Sequence, residues 1–194
     1  MKFENHQLYH IYNQGNNRRR IFFQRKNYLF FVEKIKRHIL PYADILAWCL
    51  MPNHFHFMIY VKTVELPIAA YLKTRTLNES IGIMLRSYTR AINLQQGFSG
   101  SLFRKETKAS CLSEMTKITP AFINSKAGTK INIENIETQY PKTCFRYIHA
   151  NPTKAGLVQK DADWEYSSAR DYNGSSNDGF VNKNRTLALF DFES

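Results

Sequence analysis

The pattern of apolar and polar positions marks three stretches as strands, one of them with clear period-two alternation, and three others as helices. Residues 54–61 alternate as a strand does, 7–14 read as a strand rich in aromatic and branched residues, and the mostly apolar 43–50 reads as the strand between them. In 54–61, His54, His56, Met58 and Tyr60 fall on one face, and Phe55, Phe57, Ile59 and Val61 on the other. Met51-Pro52-Asn53 reads as the turn joining the second and third strands. A helix is expected from Tyr28 to Leu40, with Asn27 as its cap, a stripe of Tyr28, Phe31, Val32, Ile35 and Ile39, and Pro41 as its stop. A second is expected from Glu79 to Gln96, with Ile81, Met84, Leu85, Tyr88 and Ile92 on one side and Gly97 as its end. Residues 62–78 read as irregular or partly helical. Leu102–Lys108 reads as a fourth strand, with Arg104, Glu106 and Lys108 on one face and Phe103, Lys105 and Thr107 on the other. Pro141 suits the first turn of a last helix running to Asn151 before Pro152.

The order of elements is strand, helix, strand, strand, helix, strand, then an extra helix. That is an α+β, ferredoxin-like β-α-β-β-α-β antiparallel sheet with an added C-terminal helix. His54 and His56 would then sit on a central strand, on the face that the two crossover helices leave open. Residues 1–172 are expected to form one domain, with a variable polar stretch at 110–139, rich in Ser, Thr, Lys and Asn. Residues 173–194 are expected to be a C-terminal tail.

Charge narrows the partners. The chain has 194 residues, with 27 Lys plus Arg against 16 acidic residues, a net charge of +11. That balance suits an anionic partner, and nucleic acid before a membrane surface, since no apolar run is long enough to span a bilayer. The N-terminus has no hydrophobic signal segment. The three cysteines, Cys49, Cys111 and Cys144, form no C-x-x-C motif and fit buried thiols in a reducing cytoplasm. Arg18, Arg19 and Arg20, leaving the first strand, together with Arg104 and Lys105, are candidates for phosphate contact.

Two imidazoles side by side on one strand face can hold a divalent cation if a third ligand arrives. Tyr147 and Asn151 are four residues apart on the last helix and project together. If that helix crosses the open sheet face, Asn151 can offer an amide oxygen, and Tyr147 stands one turn away. Tyrosine becomes a useful nucleophile toward a phosphodiester when a metal neutralises the developing charge. On spacing alone, packing of Tyr147 beside Phe145 and a helix-end role for Asn151 also fit. Tyr88, whose stripe is apolar, reads as core. His10 and His149 read as structural or as supports behind ligands.

Several blocks, in order along nearly the whole chain, resemble the REP-associated tyrosine transposases, within the HUH-type single-strand DNA transposases. They are Tyr9-His10-Ile11-Tyr12-Asn13-Gln14-Gly15-Asn16-Asn17-Arg18, Trp48-Cys49-Leu50-Met51-Pro52-Asn53-His54-Phe55-His56 and Gly100-Ser101-Leu102-Phe103. Arg146-Tyr147-Ile148-His149-Ala150-Asn151-Pro152 through Val158 and Trp164-Glu165-Tyr166-Ser167-Ser168 complete the set. The resemblance implies that His54 and His56 bind Mg²⁺ or Mn²⁺, with Asn151 in the place of a third ligand. It implies that Tyr147 joins covalently to a 5′ phosphate and leaves a free 3′ hydroxyl. It also implies a substrate of single-stranded DNA beside a hairpin, and a monomer or homodimer. The polar stretch at 110–139 departs from the family pattern. Two other functions stay open: a domesticated hairpin-binding protein without catalysis, and a metal-dependent hydrolase in which the histidines activate water.

Overall fold

The computed structural model describes residues 1–68, 73–113, 136–175 and 180–190. Most of the polar stretch, 114–135, therefore lies outside the described residues.

Four strands form an antiparallel sheet: β1 (Leu8–Gln14), β2 (Ala43–Met51), β3 (His54–Val61) and β6 (Lys108–Cys111), in the order β2-β3-β1-β6. With the crossover helices α1 (Arg25–His38) and α2 (Leu77–Gln96), this is the split β-α-β arrangement expected from element order. In register, Tyr12 faces His56 and Gln14 faces His54 across β1–β3, while Cys49 faces His56 across β2–β3. An irregularity between Ile45 and Ala47 adds one residue to β2. Leu46 and Ala47 both belong to the core on the histidine side, as a bulge allows.

Period-two alternation divides the core in two. On one side, Ile11, Phe55, Phe57 and Ile59 pack with Phe31 and Ile35 of α1 and Ile81, Met84 and Tyr88 of α2. On the other, Leu8, Cys49 and Met58 pack with Cys144, Phe145 and Ile148 of α3 (Ile136–His149) and Phe190 of α6 (Lys183–Phe190). Phe180 joins the first core and Phe190 the second, so the stretch expected as a tail contributes to both. Two further single-turn helices, α4 (Asn151–Lys154) and α5 (Ala169–Tyr172), flank the segment that closes the free edge of β2. There Leu50 N donates to Tyr166 O (2.9 Å) and Ser168 N to Trp48 O (3.0 Å). Pairing an exposed strand edge in this way removes a site of unwanted association.

Several boundaries differ from the sequence expectation. Helix α1 begins at Arg25; Gln24 is its cap, and Asn27 is the reciprocal partner three residues on, its Oδ1 accepting from Phe23 N and Gln24 N. It ends at His38, ahead of Pro41. Within 62–78, read from the sequence as irregular or partly helical, β4 (Glu65–Ile68) and β5 (Lys73–Thr76) pair antiparallel, and 69–72 lie outside the described residues. Thr76 then caps α2, accepting from Glu79 N while Glu79 returns a carboxylate oxygen to Thr76 N. Gly97 ends α2 in the left-handed region, at φ 65°. The fourth strand lies later than Leu102–Lys108. Leu102 and Phe103 are buried but form only one bridge, Phe103 to Gly15, and the ladder with Tyr9–Tyr12 is made by 108–111. Pro141 lies inside α3, which starts more than a turn earlier than expected, and the helix gives way to α4 at Asn151. Among the described residues, no helix is long and apolar enough to cross a membrane.

Candidate metal and nucleophile site

Helix α3 lies across the histidine face of the sheet. Phe145 and Ile148 are buried against it, which fixes the helix's rotation and turns Tyr147 toward β3. The ring of Tyr147 stands 5.4 Å from that of His56, centroid to centroid, at 83°. Asn151 Oδ1 lies 3.4 Å from His54 Nε2, and its Nδ2 donates to Tyr147 O (2.9 Å). The neighbouring Asn151 side chain also acts to lower the Tyr147 phenol pKa. The four residues singled out as nucleophile and ligands thus meet in one place, at the end of β3 where the Pro52-Asn53 turn opens.

The proton arrangement around His54 bears on what this place can hold. Its Nδ1 lies 2.6 Å from Asn53 Oδ1 and its Nε2 faces Asn151 Oδ1. A neutral imidazole has one N–H, so it can satisfy one of these oxygens. The shorter contact takes the proton, and Nε2 then meets an amide oxygen lone pair to lone pair. Burial holds His54 below its ordinary pKa, opposed by its contact with Asn151. A cation bound to both would relieve this conflict between two acceptors.

His56 is 5% exposed, and its Nδ1 lies 2.9 Å from His10 Nε2. Burial lowers His56 well below the ordinary imidazole value, with His10 and His54 adding to the effect. Burial alone takes His10 to about 3. Both rings are therefore neutral near pH 7 and share one N–H. If His56 Nδ1 donates it, His56 Nε2 keeps its lone pair for a metal, and His10 sets the orientation from behind. His54 and His56 rings lie 5.0 Å apart at 84°. Two neutral imidazole nitrogens and an amide oxygen would suit a divalent cation that accepts mixed nitrogen and oxygen ligands, with water completing the shell, better than one that takes oxygen alone. Among the described residues, no three His, Cys, Asp or Glu side chains form a metal cluster, so the amide is essential to such a site.

Burial raises the phenol of Tyr147, against the lowering effect of the Asn151 side chain. The Lys154 ammonium lies 5.4 Å from the Tyr147 ring centroid. Tyr12 was not singled out as a site residue in the sequence. Its ring lies 5.8 Å from that of His56, and it could have been found by following β1's alternation, which puts Leu8, His10, Tyr12 and Gln14 on the histidine side. Tyr88 is fully buried and its hydroxyl donates to Ile21 O (2.9 Å), a core role. His149 Nε2 lies 2.7 Å from Ser168 Oγ, tying α3 to the segment along β2.

The candidate phosphate-contact residues divide. Arg18 and Arg20 are exposed on the loop after β1. Arg19 is engaged within the chain, donating to Ser101 O and lying 5.7 Å from the Phe98 ring. Arg104 and Lys105 are exposed on the segment that follows the Gly15–Phe103 bridge.

No family model matches the chain, and no curated protein does. Among solved structures, a REP-associated tyrosine transposase bound to a REP hairpin is similar to it. The TM-score is 0.56 at 16% identity, covering 94% of this chain and 86% of that one. At that identity the likeness concerns the fold, and it extends over nearly all of both chains.

Proposed function

We propose that this protein is a metal-dependent single-stranded DNA strand transferase acting beside hairpins, with Tyr147 as its nucleophile. The observation behind the proposal is the docking of α3 on the histidine face, which brings Asn151 Oδ1 to 3.4 Å from His54 Nε2 and Tyr147 beside His56. The similarity to a hairpin-bound tyrosine transposase over 94% of the chain and the net charge of +11 support it.

His54, His56 and Asn151 would hold Mg²⁺ or Mn²⁺, which polarises the scissile phosphate and offsets its negative charge. The Tyr147 oxygen attacks phosphorus, forming a 5′-phosphotyrosine ester. The bond from phosphorus to the preceding 3′ oxygen breaks, and that oxygen takes a proton from water and leaves as a 3′ hydroxyl, while water accepts the proton the phenol gives up. Asn151 holds the helix backbone at the nucleophile, donating from Nδ2 to Tyr147 O (2.9 Å). The Lys154 ammonium, 5.4 Å from the Tyr147 ring centroid, adds positive charge beside the nucleophile where a phosphate would approach. The ester conserves the bond energy of the phosphodiester, so a 3′ hydroxyl can reverse the step on the same or another strand.

The test is a denaturing gel of purified protein, labelled single-stranded hairpin DNA and Mn²⁺. Wild type should give a DNA–protein adduct and a free 3′ end, and Tyr147→Phe neither. Cleavage without adduct, unchanged in Tyr147→Phe, would identify a hydrolase instead. Binding without cleavage would identify a hairpin-binding protein.

A further inference from the structure

We propose that the groove between α2 and residues 101–107 seats the phosphate backbone of a duplex stem. This rests on the hairpin-directed function proposed above and adds the surface that would carry the paired part of the substrate. The groove has a volume of about 580 Å³. Arg86 and Arg90 line it from α2, and Arg104 and Lys105 from the opposite wall. All four are exposed, and among the described residues none of them forms an ion pair. The nearby carboxylate of Glu106 is already neutralised by Lys108 at 2.7 Å. Four uncompensated cations around one concavity suit a polyanion.

Both walls are fixed. Asn13, 5% exposed, donates from Nδ2 to Arg104 O (3.2 Å) and Thr107 Oγ1 (2.9 Å). Asn93 Nδ2 donates to Gly100 O (2.8 Å), holding the other end of the segment to α2. Arg86 and Arg90 are one helical turn apart, roughly 5–6 Å between Cβ atoms, which suits successive phosphates of one strand. Gly82 also lines the groove, in the interior of α2 where glycine is a poor helix former. A Cβ there would come 3.1 Å from Nη1 of Arg86, so the missing side chain leaves room for that guanidinium.

The lining favours a duplex over a single strand. Single-strand sites add exposed aromatic platforms for bases. Here the one aromatic in the lining is Phe103, which is 5% exposed. What remains is contact with phosphates, which positions a duplex without reading its sequence. The groove also connects to the candidate site through β1: Asn13 lines it, while Gln14, the next residue, pairs with His54. A stem in the groove can thus pass its single-stranded flank around the end of the sheet toward Tyr147.

The test measures fluorescence anisotropy of three probes against salt: a hairpin stem without flank, the flank alone, and the flanked hairpin. Wild type is compared with Arg86→Gln/Arg90→Gln, with the charge-preserving Arg86→Lys/Arg90→Lys, and with the exposed α1 pair Lys36→Gln/Arg37→Gln, which loses the same charge. The groove variant should bind the bare stem at least about tenfold more weakly, with a salt slope smaller by about 2. It should keep its affinity for the flank, and the lysine variant and the α1 pair should stay close to wild type. An unchanged slope in the groove variant, or an equal loss on stem and flank, overturns the proposal while leaving the strand-transfer function standing. Failure of wild type to bind any hairpin would overturn both.

Discussion

Strand β3 presents Phe55, Phe57, Ile59 and Val61 to one side of the sheet and His54, His56, Met58 and Tyr60 to the other. The first side packs under two long amphipathic helices, and its aromatic rings interlock, with Phe31 at 5.4 Å from Phe55 and 4.7 Å from Tyr88. The second side is closed by one helix, α3, helped by α6 and by the segment along β2. The same alternation serves two ends. One face holds the sheet together by burial of apolar surface. The other buries imidazoles that are kept neutral by it, at an expense in stability that a cation bound there would offset.

This contrast makes quantitative expectations. Phe57→Ala, on the helix-packed face, removes a fully buried ring and should cost about 3–5 kcal/mol in urea unfolding. A loss below about 1 kcal/mol would show that this face is not the main core. Lowering pH should act on the other face. Burial holds His149 at about 4, below its unfolded value of 6.5. The unfolded chain therefore binds the proton first, so stability is full above pH 6.5 and falls as pH drops toward 4. In chelator-treated protein, the loss between pH 6.5 and pH 5 should be on the order of 2 kcal/mol for this group. An unfolding free energy that stays flat over that range would contradict the burial account. The smallest change in stability is expected from His54→Ala, at the half-exposed mouth of the site: within about 1 kcal/mol of wild type in unfolding. Mn²⁺ affinity by calorimetry should nevertheless fall at least about 100-fold. Unaltered affinity would mean the cation binds elsewhere.

What could be read in the sequence follows the same division. Strand 54–61 and both crossover helices announce themselves by period, whereas 43–50, buried on both faces of the sheet, shows itself as an apolar run. Alternation on a strand and four-residue spacing on a helix suggested that His54, His56, Tyr147 and Asn151 could meet, but fitted packing roles equally well; the resemblance to the tyrosine transposases is what singled out the set. That α3 lies across the sheet is a tertiary fact, dictated by Phe145, Ile148 and Cys144 meeting Met58 and Cys49. The fourth strand was misplaced because Leu102 and Phe103 look like strand residues. They fill the core from a loop, while the paired segment Lys-Ala-Ser-Cys has little apolar signal. The β4–β5 pair escaped notice because Pro67 and half-exposed side chains hide its alternation. Asn27 looked like a cap because it makes a cap's bonds, but from the third position of the helix. The reach of His10 to His56 needs the β1–β3 register, which no local pattern contains.

The most direct measurement is to digest the DNA–protein adduct formed with Mn²⁺ and a flanked hairpin, and to identify by mass spectrometry the residue that carries the nucleotide. The nucleotide should be found, through a 5′ phosphate, on the peptide containing Tyr147. Attachment to Tyr12, Tyr140 or any other side chain, or cleavage that leaves every peptide unmodified, would contradict the assignment of the histidine face as a tyrosine strand-transfer site.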